Sequence, residues 1–168
     1  MVENKNLEGL KMSVVLSRID NRLLHGIIVT QWAPISGATR VMVIDDNVAN
    51  DDLAKTSMRL AKPPGMAVSI ITEETALNNF KEGKYDNQKV FVIVKSPNII
   101  LRLLENGIKI PRLIVGGTAV KEEGIKLSNR AYATEQEVKD YKQILEMGVT
   151  VVTQFVPQDK EVPIQSII

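Results

Sequence analysis

Short apolar runs rich in β-branched residues recur along the chain at a steady interval. They are SVVLS at 13–17, RVMVI at 40–44, MAVSII at 66–71, KVFVIV at 89–94, RLIV at 112–115 and VTVV at 149–152. From Val41 to Met66, then to Val90 and to Leu113, the steps are 25, 24 and 23 residues. Each step has room for one helix and two loops, the rhythm of a mainly parallel α/β sheet. The runs are nearly continuous rather than alternating, as expected of strands covered on both faces.

The polar residues between the runs mark three helices. In SPNIILRLLENG, Ser96 stands at the N-cap, Pro97 at the first helical position and Gly107 beyond the end. TEQEVKDYKQILEMG carries the capping box Thr134–Glu137 and an apolar stripe of Val138, Tyr141 and Leu145, with Gly148 as its stop. NDDLAKTSMRLAKPPG is expected to open on Asn50, with Asp51 and Asp52 at the positive helix end, and to close at Pro63–Pro64. Residues 25–36 predict a buried helical face that Pro34 interrupts or bends. A short strand in RAYA (130–133) is expected to complete a sheet of about seven strands. The prolines of VPQDKEVPIQSII predict an irregular tail whose last apolar residues dock. The expected architecture is one α/β domain, a mainly parallel central sheet with helices on both faces.

Composition narrows the functions open to this fold. A chain of 168 residues, 44% hydrophobic and 24% charged, is an ordinary globular domain. Its net charge of +1 gives no global field for nucleic acid or anionic membrane, and 4% aromatics are too few for a stacking platform on single strands. The absence of cysteine excludes disulfides, thiolate nucleophiles and cysteine–zinc sites, and a single histidine excludes a His-rich metal centre. Covalent chemistry at neutral pH falls to His25, a hydroxyl, a carboxylate or a lysine. No cofactor and no metal are expected. The apolar runs are too short to span a bilayer, and MVENKNLEGLK has no apolar core of a signal peptide, so a cytoplasmic protein is expected. Residues 1–11 are polar enough to be an extension or expression remnant, with Met12 the natural start and the domain over 12–168.

The one histidine sits in RIDNRLLHG, at 18–26, in the loop after the first strand. Ligands of open α/β sheets bind outside the carboxyl ends of the strands, where such loops converge. The following helix would offer free N–H groups and a partial positive charge to an anion. Arg18 and Arg22 can add bidentate phosphate recognition, and Asp20 can brace an arginine or the second imidazole nitrogen. Together they describe an accessible histidine able to accept and pass on a phosphoryl group. A solvated loop with surface ion pairs accounts for the same residues equally well.

Other candidates lie at other strand ends. Asp45 and Asp46 in IDDN could hold Mg²⁺ or be phosphorylated, although such a pair more often caps the next helix. Gly116 and Gly117 in VGGT would let an anion approach the backbone closely, or simply form a tight turn. VGGT matches neither nucleotide-binding glycine motif. Lys95 and Ser96 end the fourth run, and Trp32 is most simply core.

RIDNRLLHG resembles the active-site signature of the IIB components of the mannose/fructose/sorbose family of the sugar phosphotransferase system. VIDDNVAND (43–51), KPPGM (62–66), KVFVIVKSP (89–97) and GIKIPRLIVGGTAV (107–120) extend the likeness over about 12–168. The resemblance implies an α/β phosphocarrier whose His25 takes phosphate on Nδ1 from a phosphorylated IIA partner. It would then pass the group to a sugar imported by membrane IIC and IID subunits, with Arg18, Asp20, Arg22 and Gly26 forming the loop around it. Asp46, Lys95, Ser96, Gly116 and Gly117 are further candidates for the site rim. A place at the membrane transporter and a homodimer are also implied. The family commonly continues His-Gly-Gln-Val, where this chain has His25-Gly26-Ile27-Ile28. Two rival readings are a receiver-like domain phosphorylated on Asp45 or Asp46, and a non-catalytic α/β module that binds an anion or a partner.

Overall fold

A computed structural model describes residues 13–168. The expected extension over 1–11 and the start at Met12 therefore lie outside the described residues.

Seven strands form the central sheet in the order β3-β2-β4-β1-β5-β8-β9. Six of them are parallel: β1 (Val14–Asp20), β2 (Arg40–Ile44), β3 (Ala67–Ile71), β4 (Val90–Val94), β5 (Arg112–Gly117) and β8 (Thr150–Thr153). The six apolar runs thus become the six parallel strands. The seventh position differs from expectation. Tyr132–Ala133 (β7) is a strand, but it pairs antiparallel with Ile125–Lys126 (β6) in a separate hairpin. The sheet is completed instead by Val162–Pro163 (β9), antiparallel to β8. Pro163 lacks the N–H that a further strand would need, so an edge is where it fits. After it, Ile164 is buried, and Ile167 and Ile168 pack against the core.

Period-two side-chain alternation divides the interior between the two faces. Along β4, Val90, Val92 and Val94 join one cluster, with Ile100 and Leu103 of α5 (Pro97–Glu105) and Tyr141 and Ile144 of α6 (Glu135–Glu146). Phe91 and Ile93 join the other, with Leu23, Leu24, Ile28 and Trp32. The helical segment opening after His25 widens to π-helical pairing over Ile28–Trp32 before α1 (Ala33–Ser36). The ring of Pro34 cannot donate to the preceding turn and crowds it. The predicted interruption takes the form of this widened turn.

Helix ends largely follow their sequence signals. The Thr134–Glu137 capping box is formed, and Gly107 and Gly148 follow their helices with φ of +85° and +88°. Ser96 is at the N-cap of α5, but its hydroxyl donates to Asn98 Oδ1 at 2.6 Å instead of accepting a backbone N–H. Asp51, not Asn50, caps α3 (Asp52–Arg59) by accepting from Ala54 N–H; Asn50 closes the short α2 (Asp46–Ala49). A further helix, α4 (Glu73–Lys81), is capped by Thr72.

Candidate functional site

Strand β1 carries Arg18 and Asp20 two residues apart, so both side chains leave the same face of the sheet, the face that Trp32 covers. Beyond Asp20 the chain turns sharply. Asp20 Oδ1 accepts Arg22 N–H at 3.0 Å, and its carbonyl accepts Leu23 N–H at 3.1 Å. Leu23 adopts φ +59°, the left-handed region that a branched side chain disfavours. Burial of its isobutyl group in the core opposes that strain. The turn carries His25 back above Asp20. Asp20 Oδ2 then meets His25 Nε2 at 2.9 Å.

Asp20 is buried and takes three donors: the Arg22 amide, the Arg18 guanidinium at 3.3 Å and the imidazole. Burial alone would push its carboxyl up. The hydrogen bonds from His25 and the Arg22 amide, with the charge of Arg18 and that of the imidazole whenever it is protonated, outweigh burial and hold it below the usual carboxylate range. An ionised Asp20 accepts only, so the imidazole proton resides on Nε2 and Nδ1 keeps its lone pair. The ring is 14% exposed, so His25 is largely covered where the sequence predicts an accessible histidine. His25 carbonyl receives Val29 N–H at 3.0 Å, which places Gly26, Ile27 and Ile28 in the first helical turn. The first amides of a helix have no partner within it.

Arg18 does not occupy the position read from the sequence. It is fully buried, and its guanidinium donates to Asp20, to the Gln154 carbonyl at 3.0 Å and to the Phe155 carbonyl at 2.9 Å. It lies 4.9 Å from the Trp32 ring centre, and Trp32 Nε1 donates to the same Phe155 carbonyl at 2.9 Å. Burial lowers its pKa and Asp20 opposes the shift. A phosphoryl group at the surface would find these donors committed inward. Arg18 is a strut beneath Asp20.

Gly116 is likewise interior and not a rim. A Cβ there would come within 2.1 Å of the Arg18 guanidinium carbon, so the missing side chain is the space Arg18 fills. Gly117 does stand at the loop, its carbonyl accepting Asn21 N–H at 3.1 Å. Arg22 and Gly26 are exposed on the segment that carries His25. Asp46, Lys95 and Ser96 gather on the carboxyl edge around a depression of about 200 Å³ that Glu73 and Arg102 also line. Asp46 Oδ1 there accepts Glu73 N–H at 2.9 Å, and Asp45 Oδ2 accepts Val48 N–H at 3.0 Å. The acidic pair therefore begins helices.

The sequence reading missed the support from the chain's end. Gln154 and Phe155 supply two carbonyls to Arg18, although no local pattern marks either. Arg130 stacks on Phe155, its guanidinium 4.2 Å from the ring centre. The turn residues Ser128 and Asn129 before it were the only available signal.

Residues 14–168 match the family model for the PTS system sorbose subfamily IIB component. The chain belongs to that family. It is 30% identical over 153 residues to the sorbose-specific EIIB component of Klebsiella pneumoniae, a match covering 91% of this chain and 93% of that one. The crystal structure of the Klebsiella IIBSor domain aligns with a TM-score of 0.86, over 92% of this chain and 95% of that chain. The N-acetylgalactosamine-specific IIB component 1 of Escherichia coli is 33% identical over 150 residues, covering 89% of this chain and 94% of the relative. Its crystal structure gives a TM-score of 0.82. The mannose-specific EIIAB component of Escherichia coli is 27% identical, with 94% of this chain covered but 49% of that longer protein. Membership makes the chain a phosphotransferase component of sugar uptake, with IIA and IIC/IID components as its family partners. Among the described residues no helix is long and apolar enough to cross a membrane.

Proposed function

We propose that this IIB protein accepts a phosphoryl group on Nδ1 of His25 from a phosphorylated IIA partner and passes it to a sugar entering through membrane IIC and IID subunits. The bond between His25 Nε2 and Asp20 carries the reading, because it leaves Nδ1 as the nucleophilic nitrogen. In the first transfer the Nδ1 lone pair forms a P–N bond while the bond between phosphorus and the donor nitrogen breaks, its electron pair returning to the donor ring. The Nε2 proton stays in place, so the phosphorylated His25 ring is cationic and Asp20 faces that charge. In the second transfer a sugar hydroxyl oxygen bonds to phosphorus and releases its proton to water, while the P–N bond breaks, its electron pair returns to Nδ1 and His25 leaves as a neutral imidazole. Arg22, exposed and bearing a planar fork, meets two phosphoryl oxygens.

No metal enters this scheme, since a guanidinium and helix amides oppose the migrating charge. The partners are phospho-IIA, the IIC and IID subunits, the sugar and, as the resemblance implies, a second copy of the chain. Work at the cytoplasmic side of the transporter follows from that set. The test is labelling with phospho-IIA. The wild type gains one acid-labile, base-stable phosphate, and folded His25→Ala gains none. Label retained by folded His25→Ala sinks the proposal, and a base-labile phosphate revives acyl phosphate on Asp45 or Asp46. A folded wild type that never gains phosphate leaves the binding module.

A further inference from the structure

We propose that Arg130 is a second arginine of the phosphotransfer face, holding a pre-oriented guanidinium for an oxyanion of the incoming phosphorylated donor. This rests on the His25 reading above. Three observations place it there. Arg130 belongs to the segment that folds back beside the His25 loop: its carbonyl accepts Thr118 N–H at 3.0 Å, directly after Gly117. A Cβ on Gly117 would lie 3.6 Å from Asn21 Oδ1 and 3.8 Å from the Arg130 carbonyl, so Arg130 and the residue preceding Arg22 flank one point. The Arg130 guanidinium lies over Phe155, whose carbonyl binds both Arg18 and Trp32. The platform beneath Arg130 is thus anchored to the strut beneath Asp20.

Charge accounting separates Arg130 from most other arginines. Arg18 is buried on Asp20, Arg102 pairs with Glu73, Arg112 pairs with Glu161, and Arg40 bonds Gln88 and Ser69. Among the described residues Arg22, Arg40, Arg59 and Arg130 have no carboxylate partner within ion-pair distance, and of these Arg40 spends its donors on Gln88 and Ser69. Arg59 stands on α3, away from this loop in the chain and without an aromatic platform. Arg130 is exposed and already ordered by stacking, so less side-chain entropy is lost when an oxyanion binds. A depression of about 250 Å³ opens beside it, walled also by Ser128, Asn129, Phe155 and Lys160. Phosphoryl transfer spreads charge over three equatorial oxygens, and one fork meets two. The oxyanion is either a phosphoryl oxygen or an acidic side chain on the donor protein.

The experiment compares the wild type, Arg130→Ala and Arg130→Lys with two donors. One is phosphoramidate, a small P–N donor with no protein surface. The other is the phosphorylated IIA half of the Escherichia coli mannose EIIAB relative. Arg130→Ala should slow labelling of His25 by about tenfold with the protein donor, the size expected for one charge-assisted hydrogen bond. Arg130→Lys should lie between, with the wild-type melting temperature. Slowing with both donors assigns the guanidinium to the phosphoryl oxygens. Slowing with the protein donor alone, as a raised KM, assigns it to an acid on the partner. Wild-type rates for both variants with both donors overturn the inference. A wild type labelled by neither donor overturns the His25 reading itself, a separate result.

Discussion

Asp20 concentrates three donors on one buried carboxylate, so its replacement should be felt in stability and chemistry together. Asp20→Asn leaves Arg18 buried without its counter-charge, at a cost of about 3 kcal/mol, and lets the imidazole proton move to Nδ1. Slower labelling and a lower melting temperature are the paired expectation; an unchanged rate would free Asp20 from any role in the ring's orientation. Its carboxyl lies below the unfolded value, so its contribution to stability is complete above the ordinary carboxylate pKa of about 4. That contribution is lost as pH falls through the lowered folded value. Acid titration of unfolding should therefore be shallower for Asp20→Asn than for the wild type. Gly116→Ala pushes a methyl into the Arg18 guanidinium and should cost about 3 kcal/mol, the upper range of overpacking, read as a fall in melting temperature. At Arg22, lysine should slow transfer and alanine should slow it further, with melting barely moved; parent rates for both would make Arg22 a bystander. Asp20, Arg22 and His25 could be singled out together because one short stretch of sequence holds them all. The burial of Arg18 could not be read there, because it depends on Gly116, Trp32 and Phe155, which only the folded sheet assembles around it.

Strands were the most legible elements, since each apolar run is long enough to fill both faces of a covered sheet. The exceptions, β6 and β9, have two residues each, one of those in β9 being proline, and no periodic signal can mark them. Helices announced themselves where a cap and a stripe coincided, as at Thr134. Thr134→Ala there removes the hydroxyl that accepts Glu137 N–H, keeps the backbone N–H that donates to the Glu137 carboxylate, and should cost about 1 kcal/mol, read in a denaturation midpoint. The segment after His25 tests the departure at Ile27. Ile27 is half-buried against the cluster containing Ile28 and Trp32. Ile27→Gln should then cost about 1 kcal/mol in packing. If a glutamine there positions the loop, the same variant should also transfer phosphate faster. Stability lost with no gain in rate would reject that positioning role, and thermal melts beside labelling rates decide it.

Across the whole molecule, the parallel class was readable from the spacing of the runs, but the order β3-β2-β4-β1-β5-β8-β9 was not. Neighbours such as β1 and β4 are far apart in sequence, and similar apolar runs carry no address for their partners. The same separation governs the strut under the site. Arg18 bonds to carbonyls 136 and 137 positions further along the chain. Contacts of such long range are closed late, because the loop entropy must be met before they form. During synthesis the motif therefore emerges before its supports and waits, its arginine without those two carbonyls, until residues 154 and 155 have left the ribosome. A half-made chain bears the signature in its letters yet has no braced histidine, so an aborted product should draw no phosphate away from the relay.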